Sequence, residues 1–110
     1  MQKIVELYLN RDVVVRSNLS GVWMGRVVAV EPAENALWRV ALGEGYKVHG
    51  WQRTAATSGL AHRGPGEGSR ICTPTEGQLI GDACEIILAT PAAMRQLRSL
   101  PVWDFPTAGV

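Results

Sequence analysis

The clearest pattern along the chain is a pair of apolar runs separated by turn-forming residues. Residues 12–16 carry the β-branched run Val13, Val14 and Val15, and residues 22–30 resume an apolar pattern after the turn-forming residues 17–21. β-branched residues favour strands, and Ser, Asn and Gly favour turns. This arrangement predicts a β-hairpin.

The second strand of that hairpin has two apolar faces. Alternation places Trp23 and Val27 on one face and Met24 and Val28 on the other. A strand that is apolar on both faces is either central in a sheet or part of a small barrel.

The rest of the chain predicts further short strands and a terminal helix. The patterns indicate a break at 31–35, strands at 37–42, 46–51, 69–73 and 83–89, a helical turn within 54–61 and a surface loop at 64–68. Thr90 before Pro91 is typical of a helix start, and Pro101 is typical of a stop. The predicted helix has an apolar face formed by Ala93, Met94, Leu97 and Leu100, and leaves Arg95 and Arg98 to solvent.

These elements predict an α+β, mainly β fold. We expect a small, strongly bent antiparallel sheet or an SH3-like barrel with one C-terminal helix. With 110 residues, of which 46% are hydrophobic, residues 1–110 are expected to form a single globular domain. The apolar tail at 102–110 contains Trp103 and Phe105, which we expect to dock on the core or on a partner subunit.

Charge and composition restrict the setting. The chain has 11 basic and 10 acidic residues, a formal net charge of +1, which gives no general support for a polyanionic partner. The first twelve residues contain charged side chains and no long apolar stretch, so neither a secretion signal nor a membrane span is predicted. We expect a cytoplasmic protein in which Cys72 and Cys84 are reduced thiols.

The spacing of reactive side chains predicts neither a catalytic site nor a metal or cofactor site. His49, His62, Cys72 and Cys84 lie too far apart in sequence to supply the close ligand pairs of familiar zinc sites. The glycine-rich residues 64–68 precede no helix and no suitably placed Lys, as a phosphate-binding loop would require.

One group of side chains suggests a binding surface. Aromatic and basic residues alternate across two predicted strands, namely Trp38, Tyr46, His49, Trp51 and Arg53. Such a group suits stacking on a nucleobase or another flat ligand, and it equally suits packing in a small β core.

Several short motifs carry a resemblance to a known family. They are Val14, Val15 and Arg16; Ser20, Gly21, Val22 and Gly25; Trp51; residues 58–61 with Arg63 and Gly64; and Glu85, Ile86 and Ile87. From about residue 13 to residue 97 the chain resembles an uncharacterised family of short proteins encoded by phages, prophages and other mobile elements, including integron cassettes. His49 departs from the aromatic residue expected two positions before Trp51. The resemblance implies a largely β fold and no known catalytic residues.

Three hypotheses for function follow. The first is a non-enzymatic binding or assembly module that acts through self-association as a homo-oligomer, or through a protein partner, with Trp103 and Phe105 at the interface. The second is a small-barrel nucleic-acid-binding protein that stacks bases on Trp38, Tyr46 and Trp51 and binds phosphates through Arg39, Arg53 and Arg63. The third is a small-molecule binder or enzyme with a pocket that combines His49 with Glu85.

Overall fold

Strands dominate the part of the chain that the computed structural model describes, residues 2–49 and 56–102. The strands are β1 (Asp12–Ser17), β2 (Gly21–Pro32), β3 (Trp38–His49), β4 (Arg70–Ile71) and β5 (Thr75–Leu88). The α-helices are α1 (Gln2–Tyr8), α2 (Thr57–Arg63) and α3 (Pro91–Arg98), and a 3₁₀ turn covers Glu34–Ala36. None of the helices in these ranges is long and apolar enough to cross a membrane.

All strand pairs of the sheet are antiparallel, and the sheet bends back on itself. Its order is β2-β1-β5-β3-β4, and β2 pairs additionally with β3. Register shifts interrupt the β1–β5, β2–β3 and β3–β5 ladders. The prediction of a mainly β fold with a strongly bent sheet is confirmed, although these irregularities make it something other than a regular barrel.

The predicted hairpin forms from β1 and β2. The Ser17 hydroxyl fixes its turn, because Ser17 Oγ accepts hydrogen bonds from the backbone N–H groups of Leu19 (3.2 Å) and Ser20 (2.9 Å). The same hydroxyl donates to Asp82 Oδ1 at 2.6 Å, which ties the turn to β5. A serine that bonds nearby backbone groups in this way stabilises a turn against continued strand pairing.

The prediction of separate strands at 37–42 and 46–51 is wrong, because β3 runs without a break from Trp38 to His49. Glycines allow two backbones to approach closely here. A Cβ on Gly25 of β2 would lie 2.1 Å from the carbonyl oxygen of Glu44, and Gly25 pairs with Gly45. The glycines around Glu44 therefore serve a close strand pairing, where the sequence pattern indicates a turn.

Strand β5 is also longer than predicted. It begins at Thr75, whereas the apolar run predicts a start near residue 83. Its first half contains Gly77, Gly81 and polar residues, which conceal the strand in the sequence. This half pairs with β3, since Leu79 lies opposite Ala41 and Ile80 lies opposite Val40.

Two hydrophobic clusters lie on opposite faces of the sheet, as the alternation of Val13, Val14 and Val15 between them requires. The interior cluster comprises Val13, Val15, Trp23, Val27, Val40, Leu42, Ile80 and Ala83. The helix-covered cluster comprises Val14, Val22, Met24, Tyr46, Val48, Leu60, Ala61, Ile71, Ala93, Met94 and Leu97. Helices α2 and α3 thus cover the outer side of one half of the sheet.

Helix α3 begins where the sequence predicts. Thr90 Oγ1 accepts a hydrogen bond from the backbone N–H of Ala93 (3.0 Å) and donates to the His62 carbonyl oxygen (2.7 Å), which links α3 to α2. Of the predicted apolar face, Ala93, Met94 and Leu97 are buried, while Leu100 lies past the end of α3 and packs, partly buried, against the same cluster. Helix α2 begins at Thr57 and runs to Arg63, past the helical turn predicted within 54–61. The sequence pattern does not predict α1.

The glycine-rich loop at 64–68 packs more tightly than a surface loop. Gly64 and Pro65 are buried, and the backbone N–H of Gly66 donates to Gln96 Oε1 of α3 at 3.0 Å. The loop therefore helps to hold α3 against the sheet.

Candidate anion-binding cleft

The structure separates the two described aromatic residues of the predicted binding surface. Trp38 is partly buried and packs against the interior cluster, whereas Tyr46 belongs to the helix-covered cluster and is only 7% exposed. His49 is exposed at the end of β3, where it pairs with Arg70 of β4. The structure therefore does not bring Trp38 and Tyr46 together on one platform.

Other residues of the predicted sites lie outside the described residues. These are Trp51 and Arg53 of the aromatic and basic group, and Trp103 and Phe105 of the tail. The hypotheses that involve them stay predictions. The described chain ends at Val102, which forms a parallel bridge with Ile71.

Arginines from two parts of the fold, the start of β1 and helix α3, meet at a cleft that the sequence does not indicate. The cleft has a volume of about 360 Å³. Its charged side chains are Arg11 and Asp12 at the start of β1 and Arg95 and Arg98 of α3, and Asn10, Ala89, Pro91 and Met94 complete the lining. Helix α3 reaches this position because its apolar face packs on the sheet and turns Arg95 and Arg98 outward.

A second cleft shares Arg98 with the first one. It has a volume of about 320 Å³ and is lined by Arg26, Gly43, Glu44 and Arg98. Asp12 pairs with Arg26 across the β1–β2 ladder, so the strands fix the spacing between the two clefts. Together the two clefts present four guanidinium groups and two carboxylates.

Tyr46 holds the shared arginine in place. The Arg98 guanidinium lies over the Tyr46 ring, with 5.9 Å between Cζ and the ring centroid, and the Tyr46 hydroxyl donates to Glu44 Oε1. Burial, and secondly the hydrogen bond to the Glu44 carboxylate, raise the pKa of the Tyr46 phenol. The phenol therefore stays neutral and keeps Glu44 and Arg98 on either side of it.

The guanidinium groups of the clefts take part in no ion pair within the described residues. Two ion pairs form among residues 2–49 and 56–102, Arg16 with Glu85 (3.5 Å) and Arg39 with Glu31 (2.7 Å), and both lie elsewhere. Asp12 is the acidic side chain in the lining of the larger cleft. Its Oδ1 is buried and has no hydrogen-bond partner within the described residues. A buried carboxylate oxygen without a hydrogen-bond donor costs free energy.

A family model matches residues 10–97, which is most of the chain. The chain belongs to the family DUF6948, a domain of unknown function. No curated protein and no solved structure matches the chain. The expected membership of an uncharacterised family is therefore confirmed, and the matched region of the DUF6948 domain contains every charged cleft residue except Arg98, which follows its end directly.

A smaller, largely apolar pocket in this DUF6948 chain lies between α1 and the interior of the bent sheet. It has a volume of about 220 Å³ and is lined by Ile4, Tyr8, Val30, Trp38, Cys84, Glu85 and Ile86. Glu85 is engaged by Thr57 Oγ1 (2.5 Å) and by the Arg16 guanidinium. The lining includes Glu85 and Trp38 of the sequence-based hypotheses, while His49 lies elsewhere.

The remaining reactive groups are dispersed. Cys72 and Cys84 are free thiols, and Cys84 Sγ donates to the Arg16 carbonyl oxygen at 3.2 Å. In the described residues, His, Cys, Asp and Glu side chains form no group of three or more that would hold a metal ion.

Proposed function

We propose that this DUF6948 chain is a non-enzymatic binding module whose ligand is single-stranded nucleic acid, held through phosphates at the arginine clefts. The observation that carries the proposal is the convergence of Arg11, Arg26, Arg95 and Arg98 on two clefts that share one of them. Guanidinium groups bind phosphate oxygens in bidentate geometry and stack on bases, so arginine is the favoured residue for such a surface.

Asp12 favours a nucleotide over a simple anion. A carboxylate in the lining of the larger cleft repels inorganic phosphate, but a carboxylate can accept a hydrogen bond from a base amino group or a sugar hydroxyl. A ligand with both phosphate oxygens and N–H or O–H donors therefore matches the cleft better than a bare anion.

Two clefts in series favour a polymer over a single nucleotide. Arg98 lies between them, so successive phosphates of one strand would contact Arg95 and Arg11 on one side and Arg26 on the other. A single strand leaves the polar edges of its bases open to Asp12, whereas in a duplex these edges are paired.

The proposed partner is the one in the second sequence-based hypothesis, with different residues. Arg39 forms an ion pair with Glu31. The ring of Tyr46 packs against the Arg98 guanidinium, so we do not assign it to base stacking. The resemblance to proteins of phages and mobile elements supports a cytoplasmic setting in which nucleic acid is the abundant polyanion. The net charge of +1 implies modest affinity and a binding surface of few contacts.

Fluorescence anisotropy with a labelled single-stranded oligonucleotide tests the proposal. The wild-type chain should bind at low salt, and the logarithm of its affinity should fall with the logarithm of salt concentration with a slope of up to about −3, at roughly 0.7 per phosphate neutralised. The double variant Arg11→Gln, Arg95→Gln should bind more weakly and reduce that slope by about 1.4.

The matched variant is Arg63→Gln, Arg70→Gln, which removes the same charge from two exposed arginines away from the clefts. Arg63 lies in the last turn of α2 much as Arg95 lies in the last turns of α3. It should bind almost like the wild type. Equal losses in both double variants, tighter binding to duplex, or affinity for a free nucleotide equal to that for the oligonucleotide would each overturn the proposal.

A further inference from the structure

The pocket between α1 and the interior of the bent sheet, which we call the α1 pocket, has aromatic walls. Two aromatic side chains line it, Tyr8 of α1 and Trp38 at the start of β3. Both pack against the interior cluster and are only partly buried, which leaves part of each side chain to line the pocket. The α1 pocket therefore presents rings to whatever enters it.

The wall formed by β5 depends on a β-bulge. Three consecutive residues, Cys84, Glu85 and Ile86, line the α1 pocket, whereas neighbouring side chains of a regular strand point to opposite faces. The register of the β1–β5 ladder shifts between Arg16 and Ser17, which makes Cys84 the extra residue of a bulge. Bulges re-aim side chains. The bulge thus explains how a carboxylate and an isoleucine come to line the same pocket.

The α1 pocket has a negative charge in its wall. Glu85 is the charged side chain among the described residues that line it. The hydrogen bond from Thr57 (2.5 Å) and the ion pair with Arg16 (3.5 Å) are both made by Glu85 Oε1. Arg16 does not line the pocket and its side chain is half exposed, so water weakens its compensation of the carboxylate. The charge in the pocket wall is therefore opposite in sign to the guanidinium groups of the arginine clefts.

Aromatic rings and a carboxylate together favour a cation that has an apolar surface. The faces of Trp and Tyr rings attract cations, and quaternary ammonium groups are recognised in this way. An alkylated ammonium carries its charge beneath methyl groups, so it enters a largely apolar pocket at a lower cost than a strongly hydrated primary ammonium. An anion would be repelled by Glu85, and a neutral molecule would gain nothing from its charge.

The size and the position of the α1 pocket agree with such a ligand. An apolar cavity of about 150 Å³ takes up benzene. The α1 pocket, at about 220 Å³, has room for a ligand of that size. Ile4 of α1 lines the pocket and is 49% exposed, which indicates that the pocket opens to solvent beside this helix. A ligand can therefore enter without unfolding of the sheet.

We propose that the α1 pocket binds a small organic cation, whose alkylated ammonium group contacts Trp38 and Tyr8 and has Glu85 as its counter-charge. The sequence-based hypothesis of a small-molecule binder combines Glu85 with His49, and this proposal replaces His49 by the aromatic residues of the pocket. It is independent of the nucleic-acid proposal, because the described residues that line the α1 pocket differ from those that line the arginine clefts.

Titration of the full chain with choline, followed by its amide resonances in heteronuclear NMR spectra, tests the proposal. The matched probe is dimethylbutanol, a neutral isostere in which a carbon atom replaces the charged nitrogen. Sodium chloride keeps the ionic strength of the two titrations equal. Choline should bind about fivefold or more tightly than dimethylbutanol. The largest shifts should occur at residues that line the α1 pocket.

Glu85→Gln removes the charge and keeps a side chain that accepts a hydrogen bond from Thr57. It should lower the affinity for choline by about threefold or more and leave that for dimethylbutanol nearly unchanged. The ratio of the two affinities is the readout, because a change that merely loosens the pocket lowers both. The matched control is Glu76→Gln, the same change at an exposed residue near the start of β5, and it should bind both probes like the wild type.

Trp38→Leu removes an aromatic ring and keeps an apolar side chain, so it should lower the affinity for choline more than that for dimethylbutanol. Because Trp38 packs against the interior cluster, circular dichroism checks that this variant folds. If it does not fold, Tyr8→Leu makes the same test on α1.

Three results would overturn the proposal. The first is a wild-type chain that binds choline no more tightly than dimethylbutanol. The second is an equal loss of choline affinity in Glu85→Gln and Glu76→Gln, since the pocket carboxylate would then have no specific role. The third is a set of shifts centred on residues away from the α1 pocket.

Discussion

The outer side of the bent sheet has two halves that share strands and differ in cover. The helix-covered half carries large side chains such as Met24, Tyr46 and Val48, all buried beneath α2 and α3. The other half, which no helix covers and which we call the open face, carries Ala29 and Ala41, and its two larger residues, Val28 and Leu79, remain at least half exposed. Side-chain size thus follows the presence of a helix, because a helix closes over large side chains and buries their apolar area.

The two halves also provide different binding surfaces. Over the covered half, the helix itself faces solvent, and its outward residues Arg95 and Arg98 line the arginine clefts. Over the open half, the sheet faces solvent directly and presents a row of apolar side chains. One half therefore exposes guanidinium groups, and the other exposes apolar side chains.

The largest expected effect tests the difference in burial. Met24→Ala removes a fully buried side chain from the helix-covered cluster and should lower the free energy of unfolding by about 2–5 kcal/mol. Leu79→Ala on the open face should change it by less than about 0.5 kcal/mol. Urea denaturation measures both, at a protein concentration low enough that self-association contributes nothing. Equal losses in the two variants would show that the open face is packed against something within the chain.

Much of the fold follows from local sequence signals. The run Val13 to Val15, the turn at Ser17 and the cap at Thr90 each act through neighbouring residues, so they are readable in the sequence. The first half of β5 is not readable, because its residues are held in the sheet by pairing with β3 and not by strand propensity. The same reason explains why Gly43 and Gly45 resemble a turn in sequence and lie within a strand in the structure.

The candidate site is less predictable than the fold. The sequence places Arg95 and Arg98 on the solvent side of a helix, and the spacing of three positions shows that they are neighbours. It gives no sign that Arg11 and Arg26, from the hairpin, lie beside them. Similarly, alternation shows that Tyr46 and Trp38 belong to strands but not that their faces differ, because the irregularity near Glu44 reverses the alternation within β3.

Alanine substitutions at two glycines, Gly25 and Gly81, should change the stability of the fold by intermediate amounts and in opposite directions. Gly25→Ala places a Cβ 2.1 Å from the Glu44 carbonyl oxygen where β2 and β3 approach each other, and should destabilise the fold by about 1–3 kcal/mol or more. Gly81→Ala places a Cβ in open space in β5 and should stabilise the fold by about 0.4–1 kcal/mol, because it restricts the unfolded chain. Thermal unfolding of both variants measures the difference, and a stabilising Gly25→Ala would contradict the close approach.

The smallest effect concerns the phenol beneath Arg98. Burial and the Glu44 carboxylate raise the pKa of Tyr46 above its usual value of 10.0, so the folded chain holds this proton more tightly than the unfolded chain. The resulting stability is fully present below pH 10.0 and is lost as pH rises through the higher pKa of the folded state. In Tyr46→Phe this contribution should disappear, and the decline of stability above pH 10.0 should become shallower than in the wild type.

Tyr8→Phe removes the other tyrosine and controls for the loss of a phenol in general. It should leave the steeper alkaline decline of the wild type in place, because Tyr46 is still present. If the decline were the same in Tyr46→Phe and the wild type, the Tyr46 phenol would not be held between Glu44 and Arg98 as the structure has it. The support of Arg98 at the shared edge of the two clefts would then need another source.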